Sequence, residues 1–116
     1  MIEIIVQRMT EGNINPLQAV REIKAVLGKI NSVSCKDGIK LTISDERNRH
    51  SVNQTGLNKQ QKALLGEFAA LAYLQAQADG SQRPGEVHLG KGLSTKHYAE
   101  GFKQYAGRVR QRYSVA

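Results

Sequence analysis

Apolar positions along the chain fall into short periodic runs separated by polar stretches, and the longest run is the most informative. Residues 57–78 read LNKQQKALLGEFAALAYLQAQA. Leu64, Leu65, Phe68, Leu71 and Ala72 recur at three- and four-residue spacing, on one face of a predicted helix. Tyr73, Leu74 and the alanines at 63, 69, 70, 76 and 78 carry apolar surface well beyond that stripe. A helix apolar over so much of its circumference is contacted from more than one side. Asn58 with Gln61 three residues on predicts a capping box, and Asp79-Gly80 predicts the stop. Glu67 interrupts a run already too short to span a bilayer.

Ahead of this hub, Ile2, Ile4 and Val6 alternate with Glu3 and Ile5, which predicts a strand over residues 2–6. Residues 9–13 are polar and read as a loop. Asn15 as cap, Pro16 at the first helical position and Gln18 as the cap's reciprocal partner open a helix. Its buried stripe is Leu17, Val20, Ile23, Leu27 and Ile30, with Ala19 set to pack on Ile14. Arg21, Glu22 and Lys24 lie off that stripe, and Gly28 marks its end.

A hairpin follows. Val33 and Cys35 alternate with serines, and Ile39, Leu41 and Ile43 alternate with Lys40 and Thr42. A three-residue loop, Lys36-Asp37-Gly38, pairs Cys35 with Ile39 and Val33 with Leu41, keeping both apolar sets on one face. Gly38 supplies the left-handed residue such a loop needs. Residues 44–57 have mixed charge and no apolar period, so they read as a long loop. Glycines and Pro84 forbid regular helix over 80–92, apart from a short extended piece at 86–89.

A last helix is predicted from Ser94 or Thr95. Tyr98, Phe102, Tyr105, Val109 and Tyr113 run down one face, and Lys96, Lys103 and Arg110 occupy the opposite one. Gly101 and Gly107 each weaken it by about 1 kcal/mol relative to Ala, so its aromatic face must dock for it to persist. Residues 114–116 are expected to fray. The predicted fold is α+β in the order β-α-β-β-α-α, a three-stranded sheet with helices on one face and a basic C-terminal helix. Residues 1–80 form its core. Residues 81–116 supply a basic loop and helix that pack on that core or project as an arm, within a single domain overall.

Composition narrows the class. At 116 residues, 40% hydrophobic and 23% charged, the chain suits one globular domain with a modest core. One cysteine, Cys35, excludes an intrachain disulfide and fits a reducing compartment. No cationic stretch followed by a long apolar one opens the chain, so a cytoplasmic protein is expected. The net charge of +7 is uneven. Residues 1–80 hold ten Lys/Arg against eight Asp/Glu, whereas residues 81–116 hold seven against two. That asymmetry favours an acidic partner.

The candidate chemistry follows the charge. Arg83, Lys91, Lys96, Lys103, Arg108, Arg110 and Arg112 form a basic terminal set suited to phosphates, by paired guanidinium hydrogen bonds and counterion release. Interleaved tyrosines suit stacking on unpaired bases. The bland counterpart is a solvated helix end, where cations also oppose the macrodipole, with tyrosines in the core. Residues 85–92, GEVHLGKG, resemble a phosphate-binding glycine loop in spacing, but Gly92 stands where a magnesium-holding hydroxyl belongs.

Cys35, His50, His88 and His97 show no metal-ligand spacing, and neither metal nor cofactor is expected. Asp45, Glu46, Arg47, Arg49 and His50 join acid, base and guanidinium, the ingredients of phosphodiester cleavage, but neighbours in one loop seldom converge. No nucleophile motif is present, so no enzyme activity is expected. The leading expectation is a non-enzymatic accessory protein that contacts DNA or RNA through its C-terminal third. The alternative is an assembly subunit, homo-oligomeric or with a protein partner, docking through Tyr98, Phe102, Tyr105 and Val109.

Overall fold

A computed structural model describes residues 1–36, 40–53, 55–79 and 102–113, without the side chains of 34–36, 40, 102 and 103. Within them the order is α1 (Ile2–Thr10), α2 (Pro16–Leu27), β1 (Ser32–Lys36), β2 (Lys40–Ser44), β3 (Arg49–Asn53), α3 (Lys59–Ala78) and α4 (Phe102–Tyr113). The class is α+β, with a three-stranded antiparallel sheet in the order β1-β2-β3.

Membership of the sheet differs from the sequence expectation at two places. Residues 2–6 are not a strand but the first turns of α1. Ile2, Ile5, Val6 and Met9 are buried and Ile4 stands 57% exposed, a period of 3.6 rather than 2. The third strand comes instead from 49–53, inside the stretch expected to be a loop. So the observed order opens with two helices where a strand and one helix were expected.

Both long-helix signals act as their chemistry requires. Asn15 Oδ1 accepts the Gln18 N–H at 2.8 Å, and Pro16 fills the position whose N–H needs no partner. Gly28, at φ 75°, takes the left-handed turn that closes α2. At α3, Gln61 N–H donates to Asn58 Oδ1 at 2.8 Å and Asn58 N–H donates to Gln61 Oε1 at 3.0 Å. That reciprocal pair satisfies two otherwise orphaned donors.

The sheet register is Val33↔Ile43 and Cys35↔Leu41, with Leu41↔Val52 and Ile43↔His50 on the other side. Apolar positions share one face as expected, but the pairing is displaced by two residues from Val33↔Leu41 and Cys35↔Ile39. The observed register opposes Ser32 to Ser44, whose hydroxyls hydrogen-bond, and lets Asn31 N–H reach Ser44 O at 2.8 Å. The turn into β3 is built on Asp45. Its Oδ1 accepts the Arg47 and Asn48 N–H groups at 2.8 and 2.7 Å, and its own N–H reaches Asn48 O at 3.0 Å.

α3 is the hub. It meets α2, α4, β1 and α1, and Leu65, Phe68, Ala69, Ala72, Tyr73 and Ala76 are buried round its cylinder. Small alanines let the neighbours approach closely, and Phe68 and Tyr73 fill the space between them. Tyr105, Ala106 and Val109 of α4 belong to the same core as Val33, Leu41 and Ile43 of the sheet.

The end of α3 is also a clamp. The Asp79 carboxylate accepts Lys24 Nζ at 2.8 and 2.9 Å, the Ile30 N–H at 2.8 Å and Gln75 Nε2 at 3.2 Å. One side chain thereby ties α2, the lead into β1 and α3. Desolvation pushes its carboxyl up, but the Lys24 and Ile30 hydrogen bonds, with Gln75 and the Lys24 charge, hold it below its ordinary range. Among the described residues no helix is long and apolar enough to cross a membrane.

Candidate nucleic-acid interface

α4 is a cationic helix fastened by its aromatic side. Its residues FKQYAGRVRQRY carry four Lys/Arg and no carboxylate. Such a helix, short and containing Gly107, would be marginal alone, so its persistence depends on docking. Tyr105, Ala106 and Val109 supply that docking and are buried against α3. Tyr113 is half-buried, and its hydroxyl donates a hydrogen bond to Glu67 Oε2. Arg112 Nη1 donates to Glu67 Oε1 at 2.6 Å. The glutamate that interrupts the apolar run of α3 is thus the polar anchor of α4.

Tyrosine acidity reports the same docking. Burial, helped by the Glu67 charge, pushes the Tyr105 phenol up to about 12. Tyr113 is raised further by burial and by its hydrogen bond to Glu67, which stabilises the neutral phenol.

The terminal cations expected to meet phosphate divide three ways. Arg83, Lys91 and Lys96 lie outside the described residues, and Lys103 lies within α4 with its side chain outside them. Arg112 is held by Glu67, although its side chain remains 59% exposed. Arg108 and Arg110 are both exposed on α4. Of the aromatic partner face, Tyr98 and the Phe102 side chain lie outside the described residues. Tyr105 and Val109 are covered within the chain by α3, so those two are not presented to a partner.

Arg110 also acquires a neighbour that sequence spacing does not reveal. A groove of ≈310 Å³ runs between α2, α3 and α4. Leu17, Val20, Leu71 and Leu74 line it, and Arg21 and Arg110 stand on it from two different helices. No carboxylate is among its described lining residues. Arg21 is exposed, and the sequence marks it only as lying off the buried stripe of its helix. No signal along the chain pairs it with a residue 89 positions later; the pairing arises from two helices meeting on α3.

No family model, no curated protein and no solved structure matches this chain.

The cluster at 45–50 is a turn over 45–48 that runs into β3 at Arg49 and His50. The Asp45 carboxyl is held low by the Arg47 and Asn48 N–H groups first, with a smaller contribution from His50. His50 Nε2 lies 3.4 Å from Asp45 Oδ2, and Lys29 Nζ reaches Glu46 Oε1 at 3.3 Å. Arg47 and Arg49 are exposed on either side. Both carboxylates of this cluster therefore already have partners. Among the described residues no three His, Cys, Asp or Glu side chains converge as metal ligands.

Proposed function

We propose that this chain is a non-enzymatic accessory protein that binds nucleic acid through the cationic side of α4, with Arg21 of α2 completing the surface. The observation that carries it is the groove: two exposed arginines from separate helices line it together with Leu17, Leu74 and Gln75, and no carboxylate is among its described lining. Guanidinium forks match phosphate oxygens in pairs. The part-apolar lining between them accepts a sugar while the guanidiniums take the phosphates. The excess of Lys/Arg in residues 81–116 adds a longer-range field in the same sense.

The test is a filter-binding titration of the full chain against DNA and RNA between about 50 and 200 mM salt. Binding is expected at low salt and should weaken linearly on logarithmic axes. Each phosphate contact contributes about 0.9 to the slope on duplex DNA and about 0.7 on single strands. Absence of binding at low salt, or a flat salt dependence, ends the proposal.

A further inference from the structure

Besides its two arginines, the groove between α2, α3 and α4 has one polar side chain in its described lining, Gln75. Gln75 lies on α3 one turn before Asp79 and is half-buried. Its Nε2 donates to Asp79 Oδ1 at 3.2 Å. The same oxygen receives Lys24 Nζ at 2.8 Å, and the other carboxylate oxygen receives the Ile30 N–H. Asp79 titrates below its ordinary range, so near neutral pH it is a carboxylate and only accepts.

An acceptor-only neighbour decides which way round the amide sits. The NH2 group must face Asp79, which turns Oε1 away from the carboxylate. Among the described residues no donor reaches that oxygen. The groove thus sets two guanidinium donors beside one uncommitted carbonyl acceptor. A carbonyl oxygen repels phosphate and needs a donor. A nucleic-acid backbone with its phosphates on Arg21 and Arg110 has one kind of donor to offer, the 2′-hydroxyl of ribose. Deoxyribose has none.

We propose that this groove selects RNA over DNA, with Gln75 accepting the ribose 2′-hydroxyl and Asp79 positioning the amide that does so. The inference rests on the nucleic-acid reading of the same groove and adds the sugar it takes. Leu17 and Leu74, each half-buried, offer apolar surface to the carbon face of that sugar. No aromatic residue is among the described lining, so the groove has no platform there on which to stack a base. The preference is for the sugar and not for the sequence.

The experiment titrates the full chain by fluorescence anisotropy with three single strands of one sequence: RNA, DNA carrying uracil in place of thymine, and 2′-O-methyl RNA. Wild type should bind RNA about 3- to 10-fold more tightly than DNA, the effect of one neutral hydrogen bond. The 2′-O-methyl strand keeps the sugar pucker of RNA but has lost the donor, and should bind no better than DNA. All three should share one salt slope, because their phosphate contacts are the same. Gln75→Met, an apolar chain of similar length, should bring RNA down to the DNA level with that slope unchanged. Circular dichroism checks the fold of the variant, and the 2′-O-methyl comparison on wild type decides the matter if the variant does not fold. Equal wild-type affinity for RNA and DNA, or 2′-O-methyl RNA bound as tightly as RNA, overturns the ribose assignment and leaves the phosphate groove standing. So does a Gln75→Met variant that keeps the preference, or that loses DNA as strongly as RNA. If the wild type binds none of the three, both proposals fail.

Discussion

Val109→Asp should detach α4 from the rest of the fold. Val109 is fully buried against α3, so the new carboxylate would sit without solvent or partner. An unpaired buried charge costs several kcal/mol. α4 escapes most of that cost by undocking, because it is the last described element and packs on α3. The loss is then capped at the docking free energy of one helix, about 3 kcal/mol or more from Val109, Tyr105 and Ala106 together. Once released, a helix of 12 residues that includes Gly107 should lose most of its helicity. Native-state hydrogen exchange should show α4 amides losing protection while those of α3 and β2 keep theirs. Retained protection in α4 would mean that this face does not hold it. Glu67→Gln should give a milder form of the same result, about 1–2 kcal/mol, since it keeps an acceptor for Tyr113 but removes the charge opposite Arg112.

Asp79→Ala should be the other severe change, and its effect should spread beyond one element. The side chain of Asp79 is 11% exposed and serves Lys24, the Ile30 N–H and Gln75 at once. Removal strands the Ile30 N–H and leaves the part-buried Lys24 without its counterion. Breaking a fully buried pair costs about 3–5 kcal/mol. With a third of the Lys24 side chain exposed, the expected loss is nearer about 2–3 kcal/mol, read as a lower urea midpoint with unchanged slope.

The wild type should show the linked pH dependence. The carboxyl titrates lower in the folded than in the unfolded chain, so its contribution is complete above the unfolded value near about 4. That contribution is lost as the pH falls through the lower folded value. In Asp79→Ala this part of the acid destabilisation should disappear. If the two proteins lose stability in parallel below pH about 4, the carboxylate is not the clamp.

The parts of this fold legible from sequence are those whose chemistry is local. Asn15-Pro16 and Asn58 with Gln61 satisfy helix donors within a few residues of themselves, so their role does not depend on the rest of the molecule. Residues 2–6 fail for the converse reason. Five β-branched and acidic positions satisfy a period of 2 and a period of 3.6 almost equally, and β-branched residues tip the choice toward strand. Met9 and Thr10 decide for helix, because the buried stripe continues through them.

β3 is nearly silent. Val52 is the one apolar residue in RHSVN, and His50 takes the other inward position opposite Ile43. A strand that offers the core a single valine leaves no alternation to detect. Parity of the β1–β2 pairing was legible because burial enforces it, whereas the displacement by two residues was not. Both registers bury the same face, and tertiary partners such as Asn31 and Ser44 choose between them.

The site divides along the same line. The tyrosine stripe and the cations of α4 are visible as spacing, but whether the stripe is covered in cis is a property of α3. Arg21 joins Arg110 only because α2 and α4 both pack on that hub and border one groove.

The most direct measurement of the central claim is the salt dependence of nucleic-acid binding by Arg21→Gln/Arg110→Gln beside the wild type. Both residues are exposed, so the fold should be unaffected. If the groove is a phosphate site, the duplex DNA slope should fall by about two and affinity should weaken uniformly across sequences. A double variant that binds with the wild-type affinity and slope would contradict the account.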